Sequence, residues 1–403
     1  MDFNDTPEEA AFRAQARAWL AGHAPPHELA KGEALSDAEE VSRGRAWQRC
    51  LAEGGYAGIL LPTSLGGRGG TIAQATVFGE EEARYRLPKG AYVGIGLGMA
   101  LPVIAKHGTP AQIARFAAPT LRGDLTWCQL FSEPGAGSDL AAVRTRAVRD
   151  GDDWVVNGQK VWSSWAHQTD WGILLVRTDP TVPKHKGLSF FVVDMKTPGI
   201  EVRPIRQISG ASDFNETFFT DARIPDACRI GAPGDGWACA MTVLMGERLN
   251  QGGEGKDGGI AALIAFAGAT PRDGGTALDS SAMRLRLACA YAEEQAERHF
   301  QARLRTMVSR GENPGASAAI VKLAFANRYQ KMAGLALEMR ELAGIAHPAD
   351  DSQTAGIFYD YIWSTALRVA GGADEVLRNQ ISERVLGMPG DVRADKNVPF
   401  NQL

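Results

Sequence analysis

Cysteine is scarce in this chain: five residues in 403, scattered at Cys50, Cys128, Cys228, Cys239 and Cys289, with no Cys-x-x-Cys pair. That spacing excludes a disulfide framework and predicts a reduced, cytoplasmic protein. The seven histidines are dispersed, and no spacing of His or Cys suits a metal site. Positive charge is not in excess. A net charge of -4 argues against nucleic acid as a main partner. No apolar run approaches the ~20 residues that a membrane span needs. The first ten residues are acidic and polar, so no signal peptide and no membrane partner are expected.

What is present is ordinary for a globular protein: 44% hydrophobic and 22% charged residues. The length predicts two or three structural units. Residues 1–122 read as an N-terminal helical domain. Thr6-Pro7-Glu8-Glu9 is a capping box with proline at the first helical position, and Phe12, Ala16, Trp19 and Leu20 then share a face. Ser36-Asp37-Ala38-Glu39 and Thr109-Pro110-Ala111-Gln112 repeat the start signal. Residues 123–235 read as a small β-barrel or sandwich. Asp153–Asn157, Ile173–Val176, Leu188–Val193 and Thr217–Phe219 are strand-like, and Asp150-Gly151-Asp152 and Asn157-Gly158 are expected turns between strands. Residues 236–403 read as a four-helix bundle, with one stripe at Leu285, Ala288, Cys289 and Ala292 and another at Leu335, Met339 and Leu342. The fold class is therefore α+β, multidomain.

Several glycine runs are decoys. Leu61–Gly70 is not followed by Gly-Lys-Ser/Thr, so it is no phosphate loop. Gly94-Ile95-Gly96-Leu97-Gly98 follows no strand and reads as close helix packing. Gly252–Gly259 and Thr270–Gly275 match no phosphate rule and read as connections.

The informative run is Gln129-Leu130-Phe131-Ser132-Glu133-Pro134-Gly135-Ala136-Gly137-Ser138-Asp139, a short strand that breaks at proline and turns through two glycines. Asn157-Gly158-Gln159-Lys160-Val161-Trp162-Ser163-Ser164, then Arg177-Thr178-Asp179, then a Phe-rich strand ending Val192-Val193-Asp194, follow in order. This order resembles the acyl-CoA dehydrogenase family of flavoenzymes. The resemblance runs over nearly the whole chain and is strongest from Trp127 to Arg248. It implies the three-domain α–β–α layout, FAD as cofactor, an acyl-CoA substrate in lipid degradation, an electron-transfer-flavoprotein-type acceptor, and a homotetramer or heterotetramer.

The family's reaction removes an α-proton with a carboxylate, gives the β-hydride to flavin N5 and holds the thioester oxygen with hydrogen-bond donors. The resemblance places Gln129, Phe131 and Ser132 at the flavin ring, Trp162 against its face and Ser164 near N5. Gly137 lies in the same cofactor turn, and Ser138 stands between flavin and pantetheine. Many members carry the base in a C-terminal run that corresponds here to Ala370-Gly371-Gly372-Ala373-Asp374-Glu375. The base position is Gly371, which has no carboxylate. A second family solution puts the base on the first helix of the last domain, just before an arginine, and this matches Glu247 followed by Arg248. Glu247 is thus the expected base and Arg248 a contact to the CoA phosphates. Gly371 and Gly372 are expected at the thioester and substrate, Glu375 near the flavin diphosphate, and Asp374 as a helix N-cap.

Three departures keep other readings open. Ala373 and Asp374 replace a usual Thr-Ser pair. No Arg-x-x-Phe-Gly follows Arg303-Leu304-Arg305; the chain continues to Ser309-Arg310-Gly311-Glu312. No Gln-x-x-Gly-Gly occurs within 343–356. The alternatives are a non-catalytic structural subunit of a hetero-oligomeric dehydrogenase, and a related flavin oxidase or monooxygenase.

Overall fold

The fold is that of a computed structural model, which describes residues 5–24, 37–85, 87, 91–250, 259–310, 312, 315–341, 352–392 and 395–403. Two compact units result: Met1–Glu247 with Val392–Leu403, and Arg248–Asp391.

The first unit begins with helices α1 (Pro7–His23), α2 (Asp37–Glu53), α3 (Ile72–Glu82), α4 (Ala91–Ile95), α5 (Leu101–His107) and α6 (Pro110–Leu121). Local chemistry starts three of them. Thr6, Thr71 and Thr109 each accept from the backbone N–H three residues on, and Glu9, Gln74 and Gln112 return the bond. The box at Thr71 had not been anticipated. Ser36, expected to start α2, lies outside the described residues. Phe12, Ala16 and Leu20 are buried with Trp47, Tyr56 and Phe78 in one apolar cluster.

Gly96 opens a single π-helical turn, Gly96–Ala100, that joins α4 to α5. A Cβ at Gly96 would stand 3.0 Å from Trp127 and 3.1 Å from Thr120, so the glycine serves close packing, as expected.

The eight-stranded sheet comprises β1 (Trp127–Leu130), β2 (Arg146–Asp150), β3 (Asp153–Ser164), β4 (Trp171–Arg177), β5 (Leu188–Asp194), β6 (Ile200–Ile205), β7 (Phe214–Pro225) and β8 (Arg229–Ile230). Their order is β6-β7-β3-β2-β4-β5-β8, and β1 lies parallel beside β4. Every residue of β4 is buried, which is why it reads as a continuous apolar run. Phe116 stands edge-on to Trp127 and Trp171, tying α6 to the sheet. Helix α7 (Gly236–Asn250) follows the sheet.

One expected turn is not a turn. Asn157-Gly158 lies inside the 12-residue β3, where the register with β7 shifts between Val156 and Gly158. Asn157 spans to Asp221 through two hydrogen bonds, and Gly158 adopts φ +151° with the Thr145 backbone behind it. Glycine here permits a bulge and a close approach rather than a reversal.

The second unit holds α8 (Gly259–Ala269), a small hairpin of β9 (Pro271–Arg272) and β10 (Gly275–Thr276), α9 (Ser281–Ser309), α10 (Ala318–Met339), α11 (Ser352–Ala366) and α12 (Asp374–Arg384). Helix α10 packs against the other four helices, and its Leu335 and Met339 are buried as expected. Leu342 of that stripe lies outside the described residues, as do Gly252–Gly258 and Gly311. The stripe expected on α9 is wrong. Leu285, Ala288, Cys289 and Ala292 are exposed, and Met283, Leu287, Ala290, Glu294 and Glu297 are buried. Arg328 of α10 decides this face: it donates to Glu294 and Glu297, each at 2.9 Å. Among the described residues no helix is long and apolar enough to cross a membrane.

Substituting Gly158→Ala should destabilise the first unit by about 2 kcal/mol or more, because the new Cβ would stand 2.7 Å from the Thr145 Cα in a left-handed conformation. Thermal unfolding of the variant checks this; an unchanged midpoint would show that β3 can re-register.

Candidate active site

The turn after β1 is held from both ends. Glu133 and Ala136 exchange backbone hydrogen bonds at 3.0 Å across Pro134-Gly135. The Glu133 carboxylate accepts from the N–H groups of Arg144 and Thr145, at 2.6 and 2.9 Å, which fixes the entry to β2. It also accepts from Lys160 Nζ at 2.8 Å, and Lys160 donates again to the Phe131 carbonyl at 2.9 Å. Lys160 is fully buried. Burial pulls its pKa down to about 8 against the opposing pull of Glu133. Burial would raise Glu133, but the charge and hydrogen bond of Lys160 outweigh it and hold the carboxyl below its ordinary value. Val161 N–H donates to the Ser132 carbonyl at 2.9 Å, so β3 runs alongside the turn. Sequence reading quoted Glu133 and Lys160 but gave them no role. The signal was a lysine at an inward position of a strand.

Strict alternation inward from Lys160 would bury Trp162. Instead the register slips between Lys160 and Ser163: Lys160 faces Thr217, but Ser163 faces Asn215. One extra residue sits on β3. Ser163 takes the buried position, and Trp162 turns outward with φ +61° and 58% exposure. Such a backbone costs about 1–3 kcal/mol in a bulky residue. Its indole meets Phe214 edge-on and otherwise presents a face. Ser164 ends the strand half-buried.

Gln129, Ser132, Gly137, Ser138, Trp162 and Ser164 therefore share one unit, around the β1 turn and the end of β3. Gln129 and Ser132 are half-buried, and Gly137 and Ser138 are exposed. Phe131 needs a correction. Its ring is buried at right angles to Phe190, 5.8 Å between centroids. Only its backbone is left to meet a ligand.

These residues fit a flavin. β1 pairs with a single strand among the described residues, an exposed indole offers a flat face, and hydroxyls stand at both strand ends. A Cβ at Gly135 or Gly137 would meet nothing within 4 Å, so the turn is open for close approach.

Gly371, Gly372 and Glu375 come together in the second unit. Gly371 and Gly372 have φ +66° and +107°, a reversal that residues with a Cβ resist. Lys322 Nζ donates to the Gly372 carbonyl at 2.7 Å. Asp374 is not the N-cap. Ala373 caps α12, and Asp374 is its buried first residue, paired with Arg368 at 2.5 Å. Glu375 is exposed, with only a 3.9 Å approach to Arg378. Glu247 and Arg248 lie on α7, and their side chains are outside the described residues.

An open turn pinned by a buried ion pair and an outward indole at a strand bulge suit a flat cofactor, and comparison supplies the family. Three family models match: the acyl-CoA dehydrogenase N-terminal domain over residues 6–124, its middle domain over 128–222 and its C-terminal domain over 234–386. The chain belongs to the acyl-CoA dehydrogenase family of flavin-dependent oxidoreductases. Acyl-CoA dehydrogenase IpdE1 of Mycobacterium tuberculosis is 38% identical over 397 residues, covering 95% of this chain and 98% of that protein. Acyl-CoA dehydrogenase FadE34 of the same organism is 39% identical over 80% of this chain, which spans only 43% of that protein's length. Among solved structures, the Tcur3481–Tcur3483 steroid ACAD superposes with TM-score 0.81 at 28% identity, covering 97% of this chain and 100% of that one. The ChsE4–ChsE5 complex from Mycobacterium tuberculosis gives 0.80 at 29%, covering 97% and 100%.

Replacing Glu133 by Gln leaves Lys160 buried without its counter-charge and should cost about 3–5 kcal/mol at pH 7. The folded pKa of Glu133 is depressed, so its contribution is present above the ordinary 4.5 and is lost as pH falls through the folded value. Denaturant titrations at several pH values should show the wild-type advantage narrowing below pH 4.5; a constant difference would contradict the coupling.

Proposed function

We propose that this chain is a catalytic acyl-CoA dehydrogenase subunit that binds FAD and converts an acyl-CoA thioester to the 2-enoyl-CoA, with Glu247 removing the α-proton. The observation that carries this reading is the Gly371-Gly372 turn. The usual base position holds a glycine at φ +66°, where a side chain would be strained, so the carboxylate must come from elsewhere. Glu247, one residue before Arg248 on α7, is the candidate that the sequence register offers.

Bound FAD supplies the acceptor for the β-hydride. The protein's part is to place groups around it. Trp162 would lie on the ring face, and Ser132 and Ser164 would donate to its polar edge. Ser138 would stand on the pantetheine side, and Arg248 would suit the CoA phosphates through its planar fork. Glu247 in carboxylate form takes the proton, and an apolar acyl chain that displaces water would raise its pKa and favour uptake. Glu375 is exposed and would stand near the flavin diphosphate. A bulky, steroid-type acyl group is the first substrate class to test, because one of the similar structures is described as a steroid ACAD.

A second reading is supported by those two-chain assemblies and by the missing Arg-x-x-Phe-Gly and Gln-x-x-Gly-Gly groups: the chain works in a heterotetramer whose partner completes FAD binding. Purified alone, such a chain would be colourless and would turn yellow only when co-expressed with its partner.

Glu247→Gln should retain FAD and bind acyl-CoA while flavin bleaching by acyl-CoA falls by about 10³-fold or more, as for loss of a catalytic base. Bleaching at near wild-type rate would reject the assignment. Trp162→Gly should relieve the left-handed strain, leaving thermal stability equal or about 1 kcal/mol higher, while FAD retention drops. A variant that keeps its flavin through gel filtration as well as wild type would remove Trp162 from the site.

A further inference from the structure

The C-terminal residues Asp395–Leu403 make contacts that the reaction above does not call for. They fold back on the first unit beside the segment that follows β4. Phe400 N–H donates to the Val182 carbonyl at 3.0 Å and Asn401 N–H to the Pro180 carbonyl at 2.9 Å. Pro183 and Pro399 form an isolated antiparallel bridge. This is a strap with backbone pairing of its own.

Two side-chain chains run from the strap to the turn that carries Ser138. Lys184 Nζ lies between Asp395 and Asp139, at 2.6 and 2.8 Å, and Asp139 is the residue after Ser138. The Phe400 ring covers the Arg177 guanidinium, with the ring centroid 3.5 Å from Cζ. Arg177 in turn donates to the carbonyls of Ala141 at 2.6 Å, Val143 at 3.1 Å and Lys184 at 3.0 Å. The downstream half of the turn, 139–143, is thus tied to the strap at both of its ends. The upstream half, 131–133, is tied to Lys160, and its Glu133 also accepts from the Arg144 and Thr145 N–H groups. A buried cation whose three nitrogens each donate to a carbonyl oxygen gains from an aromatic face over its plane.

We propose that Lys184, Arg177 and Phe400 are positioning residues, and that the strap Asp395–Leu403 sets the Gly137–Val143 segment in the conformation that receives the pantetheine arm of acyl-CoA. The proposal rests on the placement of Ser138 on the pantetheine side. Glu133 links the two halves through the Arg144 and Thr145 N–H groups, but Lys160 holds Glu133 from the β3 side, so loosening the strap should weaken substrate binding more than flavin binding.

The test compares Phe400→Ala, Phe400→Tyr and Asp395→Asn with wild type in the full chain, co-expressed with a partner if flavin loading needs one. Phe400→Ala should raise KM for acyl-CoA about tenfold with kcat within about twofold, the pattern of a lost binding contribution. Flavin content should stay at the wild-type level, and Phe400→Tyr should restore KM. Hydrogen exchange should accelerate in 137–143 and not in 129–133. Asp395→Asn should show the same signs more weakly, and it keeps the test alive if Phe400→Ala does not fold. Unchanged KM with unchanged exchange overturns the proposal, as does loss of flavin together with faster exchange in both halves, which would mark a merely structural strap. If wild type bleaches with no acyl-CoA, the functional reading fails by itself. The exchange pattern then still decides the strap: acceleration confined to 137–143 supports its hold on that segment, and none overturns it.

Discussion

The pairing of Lys160 with Glu133 is the constraint on which the rest of the site depends. A fully buried ammonium is tolerated only when its charge and its protons are met. Here both are. One carboxylate oxygen and one carbonyl take the lysine protons, and the same carboxylate accepts two backbone N–H groups from the start of β2. A single charge pair therefore ties the exit of β1, the entry of β2 and the middle of β3. No apolar contact could do this with the same precision, because burial of hydrocarbon is non-directional. The turn that follows has its starting point fixed to hydrogen-bond tolerance.

The outward Trp162 is a consequence of that pairing. Lys160 must point inward to reach Glu133. Ser163 also points inward, and its carbonyl accepts from buried Asn215. Two inward residues three positions apart cannot both fit a pleat of period two. The strand resolves the conflict by bulging one residue out in a left-handed conformation. The strain is local and is held in place by the paired strand on either side. An electrostatic demand inside the sheet thus becomes an exposed aromatic face outside it.

The readable parts of the sequence were the local ones. Capping boxes at Thr6 and Thr109 depend on four consecutive residues and formed as expected. The apolar runs of β4 and β5 announce strands buried on both faces. Misreadings arose where a distant residue decided. Asn157-Gly158 has the composition of a turn, but Asp221 across the sheet makes it a bulge. The apolar stripe on α9 looked like the core face, yet Arg328 draws Glu294 and Glu297 inward and leaves Leu285 and Cys289 outside. Phe131 was grouped with the flavin contacts, though just past the end of β1 its ring packs into the core against Phe190. The glycine pair at 371–372 was legible in the sequence as a turn. Its φ values were not, since they come from the surrounding fold.

The Ser132–Asp139 turn is held at two points by unlike chemistry, with Glu133 bridging them through the Arg144 and Thr145 N–H groups. Its upstream part rests on a buried ion pair, which tolerates little change, since removing either partner strands the other in a medium that cannot solvate it. Its downstream part rests on a half-exposed lysine bridge and a cation under a ring, contacts in which conservative replacements change the energy by about 1 kcal/mol. A flavin is the same molecule in every member of such a family, whereas acyl groups differ in length and bulk. If the proposed sides hold, anchoring by a buried ion pair beside the cofactor and by the strap beside the substrate would let one scaffold keep its redox chemistry while its acyl specificity shifts.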